Sequence, residues 1–271
     1  MKRTEFIQWE DNDMEHSFVK NNRLQLPMVT LAAMSSVNMY ETVRALEYSM
    51  RNIDFGDVVL ISDKKPLLLP HGIRFSRTSK LSDINSFNYK MTYELTDHIK
   101  TEYALIVHAD GFVIHPDRWS DDFLRYDYIG SPWPLPKNDY AYRDANGNIC
   151  RVGNSVSLRS KRLMEFPREH DIEWVPVDDG YYNEDIFICC HCRSDMERDG
   201  MKWASLEDAV RFGREHPLPE NKGVEPFCFH KWWGENADYP HFISPDKRFK
   251  SMIRPLLFWR RNDRWKKKHG L

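Results

Sequence analysis

The amino-acid sequence predicts an α/β fold, because apolar runs of strand length alternate with apolar residues at helical spacing. Pro27–Ser36 is a short apolar run bounded by polar residues, as expected for a buried strand. Val58–Ile61 is a second such run, bounded by Asp63 and Pro66. Between the two runs, the residues at helical spacing are Met39, Val43, Leu46, Met50 and Ile53. The chain is therefore expected to open with a βαβ unit and a parallel strand pair.

A third strand is predicted at Tyr103–Val107, after a short helix around Met91, Leu95 and Ile99. This run stops at His108-Ala109-Asp110, where two groups that bind charge stand almost side by side. Ligands of open α/β sheets bind outside the carboxyl ends of the strands. We therefore expect His108 and Asp110 to lie at a binding edge.

The chain divides by composition into three segments. Residues 1–25 are a polar lead-in that we expect to be irregular, residues 26–246 form one domain, and residues 247–271 are rich in Lys, Arg, Trp and Phe. A total of 271 residues, 41% of them hydrophobic, is enough to bury one large core. No internal repeat is visible in the sequence.

Charge and cysteine content narrow the class of protein. A net charge of -2 gives no overall attraction to nucleic acid. Five cysteines, three of them within Cys189–Cys192, do not resemble a spaced disulfide framework, and adjacent thiols are poorly placed to surround zinc. Because no stretch of about 18 apolar residues occurs, a cytoplasmic protein is predicted.

Residues 247–271 have two interpretations, a solvated charged segment or a membrane-surface element. Basic residues interleaved with Trp, Phe and Leu suit the boundary of an anionic bilayer, where each cation contributes about 1 kcal/mol. We favour the second, which predicts a peripheral protein on the inner face of the cytoplasmic membrane. No compact nucleic-acid recognition motif accompanies the charge, so nucleic acid is not an expected partner.

Individual residues suggest chemistry but leave alternatives open. Asp110 could hold a divalent cation that bridges phosphates, or cap the turn made with Gly111. Glu184 and Asp185 precede an apolar helical run, where a carboxylate could act as a general base or as a helix cap. His230 is either a packed core residue or a ligand for a manganese-type ion.

Three further positions are ambiguous in the same way. Gly153 allows close backbone approach and Asn154 offers an amide donor and acceptor, but the pair could also be a simple turn. Trp133 could stack on a sugar or fill the core. Taken singly, none of these positions is specific.

In chain order, however, the motifs resemble the GT-A class of nucleotide-sugar glycosyltransferases. They are "FLRYDYIGSPW", "GNSVSLR", "NEDIF" and "FCFH". More closely they resemble a bacterial glycosyltransferase-like family with FLxYDYIGxPW, GN..SLR, ED and FxFH motifs, distantly similar to fringe-like and β1,3-glycosyltransferases. The resemblance covers about Val29–Trp233. It implies a Rossmann-like nucleotide-binding half with a mixed central sheet, plus an acceptor-binding half.

The resemblance also implies roles for these residues. Asp110 matches the last acid of the metal-binding DxD motif, and His108 stands where that motif has its first acid. His230 matches the histidine that completes the metal or diphosphate site. Asp185 matches the base of inverting enzymes, with Glu184 supporting it or binding the acceptor.

For the donor, the resemblance implies a nucleoside edge near Thr30 and Ser35, with Asp63 after the next strand. Gly153 and Asn154 fall in the donor region, and Trp133 on the acceptor side. Where the family has "GNGG" this chain has "GNSV", so the identity of the sugar does not carry over.

The predicted function is a metal-dependent glycosyltransferase that uses Mn²⁺ or Mg²⁺ and a nucleotide-sugar donor. Among nucleotide-sugars, a UDP-sugar is favoured. The predicted acceptor is a glycan, such as a lipid-linked lipopolysaccharide, O-antigen or capsule intermediate. Two alternatives stay open. A nucleotidyltransferase would be expected to carry a Gly-rich phosphate loop and a lysine near the first strand, which "TLAAMSSVN" lacks. A catalytically silent glycan- or membrane-binding module could keep the same fold.

Overall fold

The structure, a computed structural model, describes residues 17–175 and 183–246. In these residues a seven-stranded sheet has the order β4-β3-β2-β5-β7-β6, with β1 also paired to β2, and β8 and β9 form a separate two-stranded sheet. The strands are β1 Phe18–Lys20, β2 Arg23–Met34, β3 Ile53–Ser62, β4 Arg74–Arg77, β5 Tyr103–Ile106, β6 Tyr128–Pro132, β7 Val152–Ser160, β8 Gly213–Arg214 and β9 Cys228–Phe229.

Helices of the described residues cover the large sheet and link its strands. They are α1 Met39–Ser49, α2 Ile84–Tyr93, α3 Lys161–Glu169, α4 Glu184–Ile186, α5 Arg193–Arg198 and α6 Leu206–Phe212. A π-helical stretch, Phe187–His191, joins α4 to α5. Short 3₁₀ segments lie at Leu95–His98, Pro116–Arg118, Asp121–Arg125, Pro219–Asn221 and Gly234–Asp238.

The predicted α/β fold with a mixed central sheet is confirmed. Strands β2 and β3 are parallel, as the βαβ prediction requires, and β5 is parallel to β2 on its other side. Strand β7 then runs antiparallel between β5 and β6, which makes the sheet mixed. Parallel strands covered on both faces are expected to be continuous apolar runs, and the central residues Leu31, Leu60 and Leu105 are fully buried.

Two early boundaries differ from the prediction. The lead-in was expected to be irregular to residue 25, but β1 begins at Phe18 and β2 at Arg23. The polar start of β2 is held because Arg23 donates to Asp54 at 2.7 Å and to the Ile53 carbonyl at 2.8 Å. Ile53, predicted at helical spacing, begins β3, since Asn52 takes a left-handed backbone conformation (φ 59°) after α1.

The described residues include no helix long and apolar enough to cross a membrane. The basic segment 247–271 and the first 16 residues lie outside the described residues. All five cysteines are buried free thiols, and Cys189, Cys190 and Cys192 pack in a core cluster.

Candidate functional site

A pocket of about 690 Å³ lies at the carboxyl ends of β2 and β5, the edge at which the sequence predicts binding. It is lined by the loop after β2, by His108–Asp110 after β5, and by the first residues of α2 and α4. The residues that follow β8 and β9 complete its wall. These segments bring Asp185 and His230 close to His108 and Asp110, although the three segments are far apart in sequence.

Asp110 lies in a tight turn but pairs with a distant lysine. The turn is closed by hydrogen bonds between the backbones of His108 and Gly111, at 2.7 and 3.2 Å. The carboxylate of Asp110 accepts a hydrogen bond from Lys231 Nζ at 2.5 Å, and the Lys231 backbone N–H donates to the Asp110 carbonyl at 2.8 Å. Burial opposes ionisation of Asp110, but His230 and Lys231 hold its pKa well below the usual range.

Glycine is required at position 111 because the turn packs against the end of β9. A Cβ there would lie 2.7 Å from Val156 Cγ2 and 2.8 Å from both His230 Cδ2 and the Phe229 carbonyl. The Asp-Gly pair therefore sets how closely Asp110 and His230 approach.

His230 lies between two carboxylates, one of which sequence reasoning missed. Its Nε2 is 3.6 Å from Asp110 Oδ1 and its Nδ1 is 3.4 Å from Glu215 Oε1. The parallel register of β8 with β9 explains the second contact, since Arg214 faces Phe229 and the next residues are Glu215 and His230. Burial opposes protonation of the ring, but the two carboxylates raise the pKa of His230 to about 9. We call Asp110, Glu215, His230 and Lys231 the charged cluster.

His108 is close to the charged cluster but is not ion-paired within it. Its ring lies 5.6 Å from the His230 ring and 5.9 Å from that of Phe87. Burial, together with the charge of His230, lowers the pKa of His108 to about 4. Its Nε2 is buried without a hydrogen-bond partner among the described residues. A neutral imidazole that lines the pocket is thus available to a ligand.

The residues present do not fit the predicted divalent cation at Asp110 and His230. Hard cations prefer several oxygen ligands, but Lys231 already occupies Asp110 Oδ2. Asp110 and Glu215 also flank opposite nitrogens of the His230 ring, so they do not converge on one point. Within the part of the chain that the structure describes, no group of three or more His, Cys, Asp or Glu could hold a metal ion.

Glu184 lines the pocket and is held in an internal ion pair. Its Oε1 is 3.0 Å from Arg159 Nη2 and accepts from Ser155 Oγ at 2.7 Å. Arg159 is fully buried and its Nε donates to Ser157 at 2.9 Å. Burial opposes ionisation, but Arg159 and Ser155 lower the pKa of Glu184. The two predicted roles of Glu184, support of the base and contact with the acceptor, stay predictions.

Asp185 faces the same pocket in a different electrostatic setting. It accepts a hydrogen bond from the Ile186 backbone N–H at 2.9 Å, in the first turn of α4. Burial and the charges of Glu184 and Glu215 raise the pKa of Asp185 to about 7. The pKa values of the two adjacent carboxyl groups are therefore shifted in opposite directions, down for Glu184 and up for Asp185. Asp185 is the one able to take up a proton near neutral pH.

Of the seven residues predicted to bind the donor, three line the pocket: Ser35, His108 and Asp110. Four do not: Thr30, Asp63, Gly153 and Asn154. Thr30 is fully buried and hydrogen-bonded to Thr101 at 2.8 Å, because its strand is covered on both faces. Asp63 lies outside the pocket wall, where it accepts a hydrogen bond from Ser36.

Gly153 and Asn154 form internal contacts instead of contacting the pocket. A Cβ on Gly153 would lie 2.0 Å from Trp133 Cζ2, so the close approach is that of an indole ring. The Asn154 amide is used internally, donating to Ser131 at 2.8 Å and to Glu215, and accepting from the Val156 N–H at 3.0 Å. Asn154 thus positions Glu215 of the charged cluster.

Trp133 contributes to the pocket wall from a largely buried position. It is 3% exposed, and its ring stacks on Tyr142 with centroids 4.8 Å apart. One ring face is covered by Tyr142, and Gly153 lies against the indole. The packing favours the core interpretation of this tryptophan.

Sequence reasoning missed three charged residues of the site: Arg159, Glu215 and Lys231. Lys231 directly follows the predicted His230, and Arg159 lies within the "GNSVSLR" motif, so a sequence signal was present for both. Glu215 had no such signal, because its position depends on the two-residue strand β8.

A family model described as "Protein of unknown function (DUF5672)" matches residues 72–230, more than half of the chain. The protein belongs to the DUF5672 family. No curated protein matches the sequence.

Solved structures give distant likenesses to this DUF5672 protein. TarS 1-349 of S. aureus has a TM-score of 0.39 and 13% identity, over 59% of this chain and 53% of that one. The chain thus spans about half the length of TarS 1-349. An active-site mutant of LgtC has a TM-score of 0.46 and 12% identity, over 83% and 95%. The mannosyltransferase PcManGT of Pyrobaculum calidifontis, in complex with GDP-Man and Mn²⁺, has a TM-score of 0.40 and 10% identity, over 66% and 54%.

Proposed function

We propose that this DUF5672 protein is a glycosyltransferase that moves a sugar from a nucleotide-sugar donor to a glycan acceptor. The main observation behind this proposal is that the charged cluster and the carboxyl group of Asp185 line the same pocket. Cationic groups of the cluster suit a leaving diphosphate. A carboxylate with a pKa near 7 suits removal of a proton from a sugar hydroxyl.

The proposed reaction uses these groups in one displacement. The acceptor oxygen forms a bond to the anomeric carbon of the donor while its proton passes to the Asp185 carboxylate. The bond between that carbon and the diphosphate oxygen breaks, and its electron pair leaves with the nucleoside diphosphate, facing His230 and Lys231. Glu184 and Arg159 hold the start of α4 and so position Asp185. Attack by the acceptor opposite to the leaving group inverts the anomeric configuration.

The proposed donor is a UDP-sugar, and the proposed acceptor is a lipid-linked glycan intermediate at the inner face of the cytoplasmic membrane. The motif order and the pocket at the strand edge support this class of substrate. The proposed reaction does not use a divalent cation, because the described residues do not provide a suitable set of metal ligands.

The test separates donor binding from transfer. A panel of nucleotide-sugars is titrated against the protein by thermal shift, because a bound ligand raises the melting temperature by mass action. Release of nucleoside diphosphate and glycan transfer are then measured for wild type and Asp185→Asn. Asp185→Asn is expected to keep donor affinity within about threefold and to lose transfer by at least about a hundredfold.

Two results would contradict the proposal. If no nucleotide-sugar binds and none is hydrolysed, the fold serves as a binding module and the enzyme assignment fails. If Asp185→Asn transfers at the wild-type rate, the base assignment alone fails.

A further inference from the structure

Lys231 has a backbone geometry that the surrounding residues hold in place. It adopts φ 63°, in the left-handed region that non-glycine residues rarely occupy. Its N–H donates to the Asp110 carbonyl at 2.8 Å, and its carbonyl accepts from the fully buried Asn236 at 3.0 Å. Backbone strain kept in place by a buried network is typical of positions with a function.

Asp110 also holds the side chain of Lys231 in place. Its ammonium donates to Asp110 Oδ2 at 2.5 Å, the one hydrogen bond that the structure shows for this group within the described residues. An ammonium carries three N–H donors, so two remain for a ligand. The side chain is 36% exposed and lines the pocket. Asp110 thus fixes a cation at the wall and leaves part of its hydrogen-bonding capacity open.

The rest of the charged cluster favours an anionic ligand over a metal ion at this point. One oxygen of each carboxylate is hydrogen-bonded, Asp110 Oδ2 by Lys231 and Glu215 Oε2 by Asn154, and the other oxygen of each faces His230. His230 places a second nitrogen donor 3.6 Å from Asp110. A divalent cation at Asp110 would therefore lie beside the Lys231 ammonium at one oxygen and the His230 ring at the other, and both groups would repel it.

Resting on the proposed function, we infer that Lys231 itself supplies the positive charge that the donor diphosphate meets, so nucleotide binding needs no divalent cation. In this assignment Asp110 is a positioning residue for Lys231 rather than a metal ligand. Phosphate oxygens accept hydrogen bonds from the two open N–H groups of Lys231. The ligand class is a nucleoside diphosphate.

The first experiment uses the wild-type chain. UDP and GDP are titrated calorimetrically in EDTA, and again with Mn²⁺ or Mg²⁺. For whichever nucleotide binds, the affinity is expected to agree within about threefold between the conditions. If binding is lost in EDTA and restored by Mn²⁺, the inference is overturned while the proposed function stands. If neither nucleotide binds under any condition, both fail.

The second experiment uses variants of the cation. Lys231→Met is expected to weaken nucleotide affinity at least about tenfold, with no recovery in Mn²⁺, whereas Lys231→Arg keeps most of the affinity. The control Lys222→Met changes an exposed lysine outside the pocket and should leave affinity unchanged. Wild-type affinity in Lys231→Met would overturn the inference. Lys231→Arg keeps the positive charge beside Asp110. An equal loss of nucleotide affinity in Lys231→Met and Lys231→Arg would therefore also contradict the inference.

Discussion

At the scale of single residues, the raised pKa of Asp185 makes a pH prediction. A base must be ionised to act, so the rate of transfer should rise with pH and level off above the pKa of about 7. The raised pKa also means that the folded protein binds this proton more tightly than the unfolded chain does. Ionising Asp185 therefore costs folding stability, and the cost grows between pH ~4 and ~7 and is complete above that range.

Asp185→Asn is expected to abolish activity and also to remove the loss of folding stability that ionisation of Asp185 causes. Its melting temperature should exceed that of the wild type by more at about pH 8 than at about pH 4.5, as measured by calorimetric unfolding. The matched control is Asp139→Asn, which alters an exposed aspartate outside the pocket. A stability difference for Asp185→Asn that does not vary with pH would show that the carboxyl is not held protonated.

At the scale of elements, the pair between Arg159 and Glu184 joins the end of β7 to the start of α4. Arg159→Met would leave the Glu184 charge buried and unpaired, which typically costs about 3–5 kcal/mol. Urea unfolding should therefore show a large loss of stability. Arg159→Met combined with Glu184→Gln should recover part of that loss, since no uncompensated charge remains.

A surface pair provides the comparison for this prediction. Arg125 is 77% exposed in its side chain and pairs with Asp122 at 3.0 Å. Arg125→Met should cost only about 0–1 kcal/mol. If Arg159→Met costs no more than Arg125→Met, the pair does not hold α4 in place.

The elements of the nucleotide-side half could be predicted from sequence because their signals are local. Apolar periodicity identified β2, α1 and β5. Periodicity also indicated the parallel pairing of β2 with β3. Each of these inferences depends on residues within a few turns of one another.

The site could be predicted only in part because its decisive contacts are not local. Asp110 and Lys231 are 121 positions apart, and Arg159 and Glu184 are 25 apart. Sequence motifs named the residues that line the pocket, such as Asp110, Asp185 and His230, but not their partners. The partners changed the interpretation, since Lys231 bonds one oxygen of the carboxylate that was expected to bind a metal.

At the scale of the whole molecule, charge is distributed very unevenly along the chain. Residues 247–271, which lie outside the described residues, carry ten Lys or Arg and one Asp, a net charge of +9. Since the full chain carries -2, residues 1–246 carry -11. Attraction to an anionic membrane must therefore come from the last segment, and the remainder should be repelled.

Removal of residues 247–271 is accordingly expected to abolish cosedimentation with anionic vesicles and to leave nucleotide binding unchanged. Vesicles of neutral lipid should bind the full chain far less, and salt should weaken the anionic association because it screens exposed charge. As a matched variant, Lys266, Lys267 and Lys268 are replaced by Gln in the full chain, which keeps every aromatic residue. Each lost cation should cost about 1 kcal/mol of membrane affinity, so this variant should bind anionic vesicles at least about tenfold more weakly. Equal vesicle binding by the full and shortened chains would exclude the membrane-surface role of this segment.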